Sequence, residues 1–269
     1  MSTAILPAMP LPSARSAPAG TVFLPREHGS WSLALEPLAL GLLSAPSWAG
    51  GALVAAALAG FFARRPLKAA LGALATPRRV AARKALVVLS GLAFAGCSEM
   101  VVLAPWTAAW PLLPAAVLGL VFTWFDSQGE SRAAAAEIAG SAAFACLPAA
   151  MATLAGLSAA TALALAVLAL ARSVPTVLVV RGYLRMAKGG APARTLPLLA
   201  TGSAALALLA LGAAQLAPRV AGLLGVLLLV RAAWLLGPWR PAWPASRIGM
   251  LEALLGLLCV GVMAAAYRA

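Results

Sequence analysis

The chain has 269 residues, of which 63% are hydrophobic and 10% are charged. An ordinary soluble domain has roughly 45 to 50% apolar and about 25% charged residues, so this composition excludes a water-soluble globular protein. The formal net charge of +13 is also found in nucleic-acid-binding proteins, but here the basic residues lie in short clusters between apolar runs, as in the loops of membrane proteins. We therefore predict an all-α, polytopic membrane protein with no nucleic-acid partner.

The first residues carry a single charge, Arg15, and lack a targeting pattern. Residues 1–22 are rich in Ala, Pro and Ser, which predicts a disordered tail. Pro7, Pro10 and Pro12 interrupt the one apolar stretch, and no Lys or Arg precedes it, unlike a secretory signal. Residues 23–269 are predicted to form a single transmembrane helical domain.

The rest of the chain is a series of apolar runs separated by Gly, Pro or charge. About 20 apolar residues are needed for one crossing of a bilayer, and on this basis we predict about nine spans. The first two are short and would also fit a single interrupted hairpin. The predicted spans are approximately 31–43, 48–63, 85–103, 108–125, 134–154, 161–180, 196–216, 220–236 and 248–267.

The basic residues are distributed unequally between the two sides of this topology. Of the 20 Lys and Arg residues, only Arg219 and Arg268 fall on one side and only Arg172 and Arg231 lie within spans. Because cytoplasmic loops carry the excess of Lys and Arg, the other side is the cytoplasm. We predict a protein of the bacterial cytoplasmic membrane with its N-terminus inside and its C-terminus outside.

The residues that usually bind metals are few. Cys97, Cys146 and Cys259 all lie inside apolar runs without paired spacing, and His28 is the only histidine. This pattern predicts neither a disulfide framework nor a thiolate or His-rich metal site. The sequence identifies no cofactor.

Charged residues within the spans are the main functional signal. Each costs roughly 2.5 to 3.5 kcal/mol on insertion scales and is a candidate functional residue by default. A set of these on one side predicts a polar cavity open to the cytoplasm, although long side chains near helix ends also reach the interface. Those in the cytoplasmic half of their spans are Glu36, Glu137, Arg172, Arg231 and Glu252; Glu99 lies toward the outer end of the third span.

The segment from Pro25 to Trp31 places an acid beside an imidazole. Glu27 and His28 are adjacent, and an imidazole with a pKa of about 6.5 is well suited to proton transfer at neutral pH. Together with Glu36, these two are the predicted catalytic residues. In the structural alternative, Trp31 is an interfacial residue and Glu27 stabilises the positive end of a helix dipole.

A second group of acids precedes the fifth span. If this segment is helical throughout, Asp126, Glu130 and Glu137 share one face, where carboxylates would hold a hard cation or an amine. Alternatively, Ser127 and Glu130 form a capping box. We predict that Asp126, Glu130, Arg132 and Glu137 bind a ligand.

A third group lies around the end of the sixth span. Arg172, Thr176 and Tyr183 share a helix face, and a buried guanidinium requires an anionic partner, either an internal acid or a bound phosphate or carboxylate. An internal ion pair is the favoured interpretation. The acids available to it are Glu36, Glu137 and Glu252. Arg172 and Tyr183 are nevertheless included in the predicted ligand-binding set.

The basic loop after the second span contains Arg65 and Lys68. Topology and attraction to anionic lipids explain most of its charge. We include Arg65 and Lys68 in the ligand-binding set because such a loop would also suit a phosphate.

The segment PREHGSW at 25–31 resembles the YwiC-like family of bacterial membrane proteins, whose members begin with a similar acid-His-Gly-aromatic segment ahead of the first span. The ARRPL segment at 63–67 fits the same pattern less specifically. The resemblance implies a membrane protein and does not assign an activity.

The topology also resembles that of the UbiA-type prenyltransferases. Those enzymes bind a prenyl diphosphate through magnesium on Asp-rich loops after the second and sixth spans. Here neither loop carries an acid, and Asp126 is the only aspartate of the chain. A UbiA-like arrangement of helices is compatible with the sequence, whereas the diphosphate chemistry is expected to be lost or replaced.

Two functions therefore remain. The first is an enzyme or lipid-handling protein whose cytoplasm-facing polar cavity binds a lipid-like or anionic small molecule. The alternative is a proton- or cation-coupled small-molecule transporter, which is less favoured because Glu99 is the only acid in the outer half of a span. The predicted partners are membrane lipids and the small molecule, and no oligomeric state is predicted.

Overall fold

The computed structural model describes residues 28–71 and 77–269, with the side chains of residues 31–71 and 79–269. These residues form α-helices and one short 3-10 helix, with no strand among them, which confirms the all-α fold. The predicted tail at 1–22 lies outside the described residues. The helices are α1 (His28–Ser44), α2 (Trp48–Leu71), α3 (Pro77–Leu103), α4 (Leu112–Ser127), α5 (Ala134–Ala145), α6 (Leu147–Leu154), α7 (Ala159–Ala187), α8 (Thr195–Ala213), α9 (Val220–Leu236) and α10 (Ala245–Arg268).

Each predicted span coincides with a helix, and α5 and α6 together make the fifth. By length and hydropathy, five of the described helical segments are able to cross a membrane, namely Arg79–Leu103, Ala134–Leu154, Ala159–Ala187, Thr195–Ala213 and Ala245–Arg268. Three apolar helices are shorter, namely Trp31–Ser44, Leu112–Ser127 and Val220–Leu236. The protein is therefore a multi-pass helical membrane protein, and the number nine stays a prediction.

The basic segment between the second and third spans is more helical than predicted. We expected a loop from residue 64 to 84, but α2 continues to Leu71 and α3 already begins at Pro77. Ala, Leu, Lys and Arg favour helix, and Pro is well accommodated at the first position of a helix. The cations of this segment are therefore held on two helix ends.

The condition under which Asp126, Glu130 and Glu137 would share one helix face is not met. Helix α4 ends at Ser127 and α5 begins at Ala134. Gly129 between them has φ +79°, a conformation that glycine adopts readily. The capping alternative is wrong, because α5 has no side-chain cap and the Ser127 hydroxyl donates to the Trp124 carbonyl at 2.7 Å.

Helix α7 lies at the centre of the bundle. It packs against α1, α5, α6, α8, α9 and α10, and its buried residues include Leu165 and Leu168. The core around them takes Leu40 from α1 and Cys259 from α10. A polar side chain of α7 that points into this core can therefore contact several helices at once.

Helices α2 and α3 form a closely packed pair at the edge of the bundle. A Cβ atom at Gly96 of α3 would lie 2.7 Å from the Ala52 carbonyl oxygen of α2, so glycine allows this close approach. Only 11% of the most apolar stretch of α3 is buried inside the protein. Glu99 of α3 is exposed and lies away from the core around α7.

Candidate functional site: a buried cluster of four charges

Four charged side chains from four helices meet inside the bundle. They are Glu36 of α1, Arg172 of α7, Arg231 of α9 and Glu252 of α10, and we call them the charge cluster. Arg172, Arg231 and Glu252 are 6%, 6% and 5% exposed, and 14% of the Glu36 side chain is exposed. The cluster is neutral as a whole when both acids are ionised.

Arg172 is fixed mainly by Glu252. Its Nη2 donates to the backbone carbonyl of Glu252 at 2.7 Å, and its Nη1 donates to the Oε2 atom of the same residue at 3.2 Å. Nη1 also donates to the hydroxyl of Thr176, which in turn donates to the Arg172 carbonyl at 2.7 Å. The face shared by Arg172 and Thr176, predicted from their spacing, is thus confirmed.

Glu252 lies between the two arginines. The Nε atom of Arg231 donates to its Oε1 at 2.8 Å, and the Arg231 Nη2 also contacts this oxygen. Ionised groups inside a bundle are stable only when they are paired and hydrogen-bonded. Glu252 therefore compensates both guanidinium groups at once.

Glu36 is the more weakly held acid of the charge cluster. Its Oε2 lies 3.4 Å from the Arg172 Nε, and that Nε has no hydrogen-bond acceptor within the described residues. The other oxygen, Oε1, accepts a hydrogen bond from the Ser32 hydroxyl at 2.7 Å. The predicted internal ion pair of Arg172 is confirmed, with two acids as partners.

The Glu36 carboxylate rests directly on the backbone of α10. A Cβ atom at Gly256 would overlap that carboxylate, so Gly256 makes the approach of α1 possible. Gly249, on the same helix, provides a comparison. Gly249 has open space instead, so only Gly256 has this role.

We expect Gly256→Ala to be less stable than Gly249→Ala by roughly 1 to 3 kcal/mol, the usual cost of overpacking. Both changes add a methyl group to the same helix, so the general helix preference of alanine cancels. At Gly256 the methyl group would push the Glu36 carboxylate away from Arg172. Unfolding of both variants in detergent measures the difference, and equal stabilities would contradict the packing described.

A pocket adjoins the charge cluster between α1, α7 and α10. Its empty space is about 300 Å³ when its open side is included, but the part that a water-sized molecule can occupy is only about 20 Å³. Its lining residues are Glu36, Pro37, Leu40, Leu168, Ala169, Arg172, Ser173, Gly256, Cys259 and Val260. The apolar residues of α1 follow Glu36 and those of α7 precede Arg172, so the pocket extends toward the Ser44 end of α1. This is the side that the distribution of basic residues assigns to the exterior.

The pocket differs from the predicted cytoplasm-facing cavity. Of the residues predicted to line that cavity, only Glu36 and Arg172 line this pocket. The other predicted site residues that the structure describes lie at separate places on the cytoplasmic side of the predicted topology.

Asp126 belongs to a second cluster, at the ends of α2 and α4. Its Oδ1 accepts hydrogen bonds from the Arg64 Nη2 at 2.6 Å and from the Lys68 Nζ at 2.7 Å. The Arg64 guanidinium also lies 4.6 Å from the centre of the Phe122 ring, a distance typical of cation–π contacts. Asp126 and Lys68 are brought together as an ion pair, away from the charge cluster.

Glu137 belongs to a third contact, between α5 and α7. Its Oε2 accepts a hydrogen bond from the Arg181 Nη1 at 2.8 Å, which also donates to the Arg132 carbonyl at 2.8 Å. Arg181 lies nine residues beyond Arg172 on α7, roughly 13 Å at 1.5 Å per residue. Glu137 was one of the three acids available to Arg172, and it pairs with Arg181 instead.

Tyr183 is buried by contacts within the protein. Its hydroxyl donates to the Pro241 carbonyl at 2.6 Å and accepts from the Trp243 backbone N–H at 2.9 Å. With 1% exposure, Tyr183 attaches α7 to the segment before α10. The structure gives it no place in the pocket.

The remaining predicted residues fall outside the pocket or outside the described side chains. Glu27 and the side chain of His28 are outside them, although His28 is the first residue of α1. Glu130 is exposed in the turn before α5. Arg65 on α2 and Arg132 in that turn each make a polar or electrostatic contact. Among the described residues, no group of His, Cys, Asp and Glu is able to hold a metal ion.

Two members of the charge cluster were missing from the predicted site. Arg231 and Glu252 were recognised as charges within spans, but no ligand role was assigned to them. Their signal was the same as that of Arg172, a charge within an apolar run. The sequence does not show that α9 and α10 pack against α7.

Comparison with known proteins gives one match. Residues 24–153 match the family model described as YwiC-like protein, and this segment includes Glu36 and reaches α6. No curated protein matches the chain, and no solved structure does. The first part of the chain is therefore similar to the YwiC-like family.

Proposed function

We propose that this protein binds an anionic small molecule in the intramembrane pocket beside Arg172. The observation that carries the proposal is the Arg172 Nε, a buried donor without a hydrogen-bond acceptor among the described residues, in a side chain that lines the pocket. An anion in the pocket would give this donor a full charge-assisted hydrogen bond, which is stronger than a neutral one.

The test uses benzenesulfonate, a compact organic anion. Titrated into the purified protein in detergent, it should raise the thermal stability in a saturable way, because a ligand that binds only the folded state stabilises it. Phenyltrimethylammonium, a cation of similar shape, should have no such effect.

Arg172→Gln is expected to abolish the response, and Arg181→Gln, at the partly exposed pair with Glu137, is the matched control. Stabilisation by the cation, or none by the anion with Arg172 intact, would contradict the proposal.

Transport is a second candidate, and the position of the pocket favours it. Glu36 and Arg172 lie near the midpoints of α1 and α7, and the pocket is on the predicted exterior side of them. The charge cluster would thus stand between the pocket and the cytoplasm. Uptake of radiolabelled benzenesulfonate into proteoliposomes tests this, and saturable binding without uptake would leave only the binding function.

We further propose that the chain lies in the bacterial cytoplasmic membrane with its N-terminus inside. The unequal distribution of Lys and Arg supports this orientation. In addition, the Arg268 Nε donates to the Leu43 carbonyl at 3.1 Å, which brings the C-terminus to the far end of α1. A cysteine at Ala193 should be labelled only from the cytoplasm and one at Ala269 only from outside, in a background without Cys97. Labelling of both from one side would refute the orientation.

A further inference from the structure

We infer that the organic anion takes the place of Glu36 at Arg172 and that Glu36 takes up one proton in the same step. The inference rests on the proposed anion binding and adds the coupling ion and the class of ligand. The protein would therefore bind anion and proton together.

Arg172 is attached unequally to its two acids. Toward Glu252 it has hydrogen bonds to both the side chain and the backbone carbonyl. Toward Glu36 it has one contact of 3.4 Å without hydrogen-bond geometry. Since Glu36 also lies on the pocket wall, it is the partner that an incoming anion can replace while Arg172 stays in position.

The charge balance of the cluster links anion binding to proton uptake. The two arginines compensate two negative charges, and a third negative charge in the bundle would have no partner, which is costly in a membrane. If Glu36 accepts a proton from solution, its O–H bond forms and its charge is lost. The arriving anion then restores the balance, and the Arg172 guanidinium remains protonated throughout.

The surroundings of Glu36 select it rather than Glu252 as the proton acceptor. The charged or titratable side chains around it are Arg172 on α7, Arg231 on α9, and Glu252 and Cys259 on α10. A proton on Glu252 would leave both arginines without their shared partner. A proton on Glu36 removes only the weakest contact of Arg172, and Ser32 can still hydrogen-bond the neutral acid.

The pocket lining indicates the class of ligand. Beyond the polar end it is formed by apolar side chains, among them Leu40, Leu168 and Val260. These favour an apolar body on the ligand, for which the pocket must widen as Glu36 moves away from Arg172, while the single exchanged charge favours a monovalent head. The ligand is thus a monovalent organic anion such as a carboxylate or sulfonate, in preference to inorganic phosphate.

The test measures protons and ligand together. Benzenesulfonate stays ionised in the working range, so protons taken up on mixing in weak buffer come from the protein's own titration. A pH-indicator dye should report uptake approaching one proton per bound anion at a pH where Glu36 is ionised. Across that range the affinity should fall by about tenfold per pH unit.

Two variants sharpen the test. Glu36→Gln mimics the protonated acid and should bind benzenesulfonate at least as tightly as the unmodified protein, without proton uptake and without the pH dependence. Glu99→Gln changes an exposed acid of α3 and should leave both unchanged.

Two failures are distinguishable. Absence of anion binding in both the unmodified protein and Glu36→Gln would refute the proposed function. Binding with no proton uptake and pH-independent affinity would refute only the coupling. If Glu36→Gln does not fold, the proton uptake and pH dependence of the unmodified protein still decide between these results.

Discussion

Glu252→Ala is expected to lower the free energy of unfolding by about 3 to 5 kcal/mol, the usual effect of breaking a buried ion pair. Glu252 is the partner of both Arg172 and Arg231. Its removal leaves two buried guanidinium groups with only Glu36 for compensation. Denaturant titration in mixed micelles measures the loss.

A surface pair provides the control for this result. Glu137→Ala breaks the contact with Arg181. The Glu137 and Arg181 side chains are 36% and 40% exposed, so this change should lower the free energy of unfolding by about 0 to 1 kcal/mol. Adding Arg231→Leu to Glu252→Ala should recover much of the stability, because Arg172 and Glu36 then form a neutral pair. A Glu252→Ala variant as stable as Glu137→Ala would contradict the structural importance of the charge cluster.

Arg172→Ala is expected to lower the free energy of unfolding by a similar amount, about 3 to 5 kcal/mol. Glu252 keeps Arg231 as a partner, so the uncompensated charge is that of Glu36. Exchanging this acid as well, in Arg172→Ala/Glu36→Gln, should restore most of the lost stability. The same titration checks both variants, and a double variant no more stable than Arg172→Ala would show that Glu36 is not its partner.

The double variant also separates structure from function. It should fold with near-normal stability and yet bind no benzenesulfonate, because the donor on the pocket wall is missing. Retained binding in this variant would place the anion elsewhere in the protein.

Much of the fold could be predicted because the membrane imposes a simple length requirement on apolar runs. The central helix α7 is an example, since its apolar run was apparent from the sequence. The ends of α2 and α3 could not be predicted in the same way. The last turns of α2 and the first turns of α3 are rich in Ala, Arg and Lys. These residues form helix both inside and outside a membrane, so the sequence does not mark where each helix ends.

The site was predictable to the level of charge pairing. That Arg172 requires an acid follows from its position in an apolar run, but the choice among Glu36, Glu137 and Glu252 depends on which helices pack together. Glu137 appeared suitable by depth, yet it lies beside Arg181. No periodicity in a sequence of uniformly apolar helices indicates that α1 packs against α10.

The order of the charge cluster along the chain has a consequence for biosynthesis. The ribosome delivers Glu36 first, then Arg172, Arg231 and finally Glu252, so the inserted helices pass through net charges of minus one, zero, plus one and zero at this place. Arg172 precedes Glu252 by 80 residues, roughly 4 to 16 s at the usual elongation rate. During that interval Glu36 is the only acid of the cluster in the membrane. Until the last helix arrives, Glu36 is therefore the one acid of the charge cluster that is available to compensate Arg172.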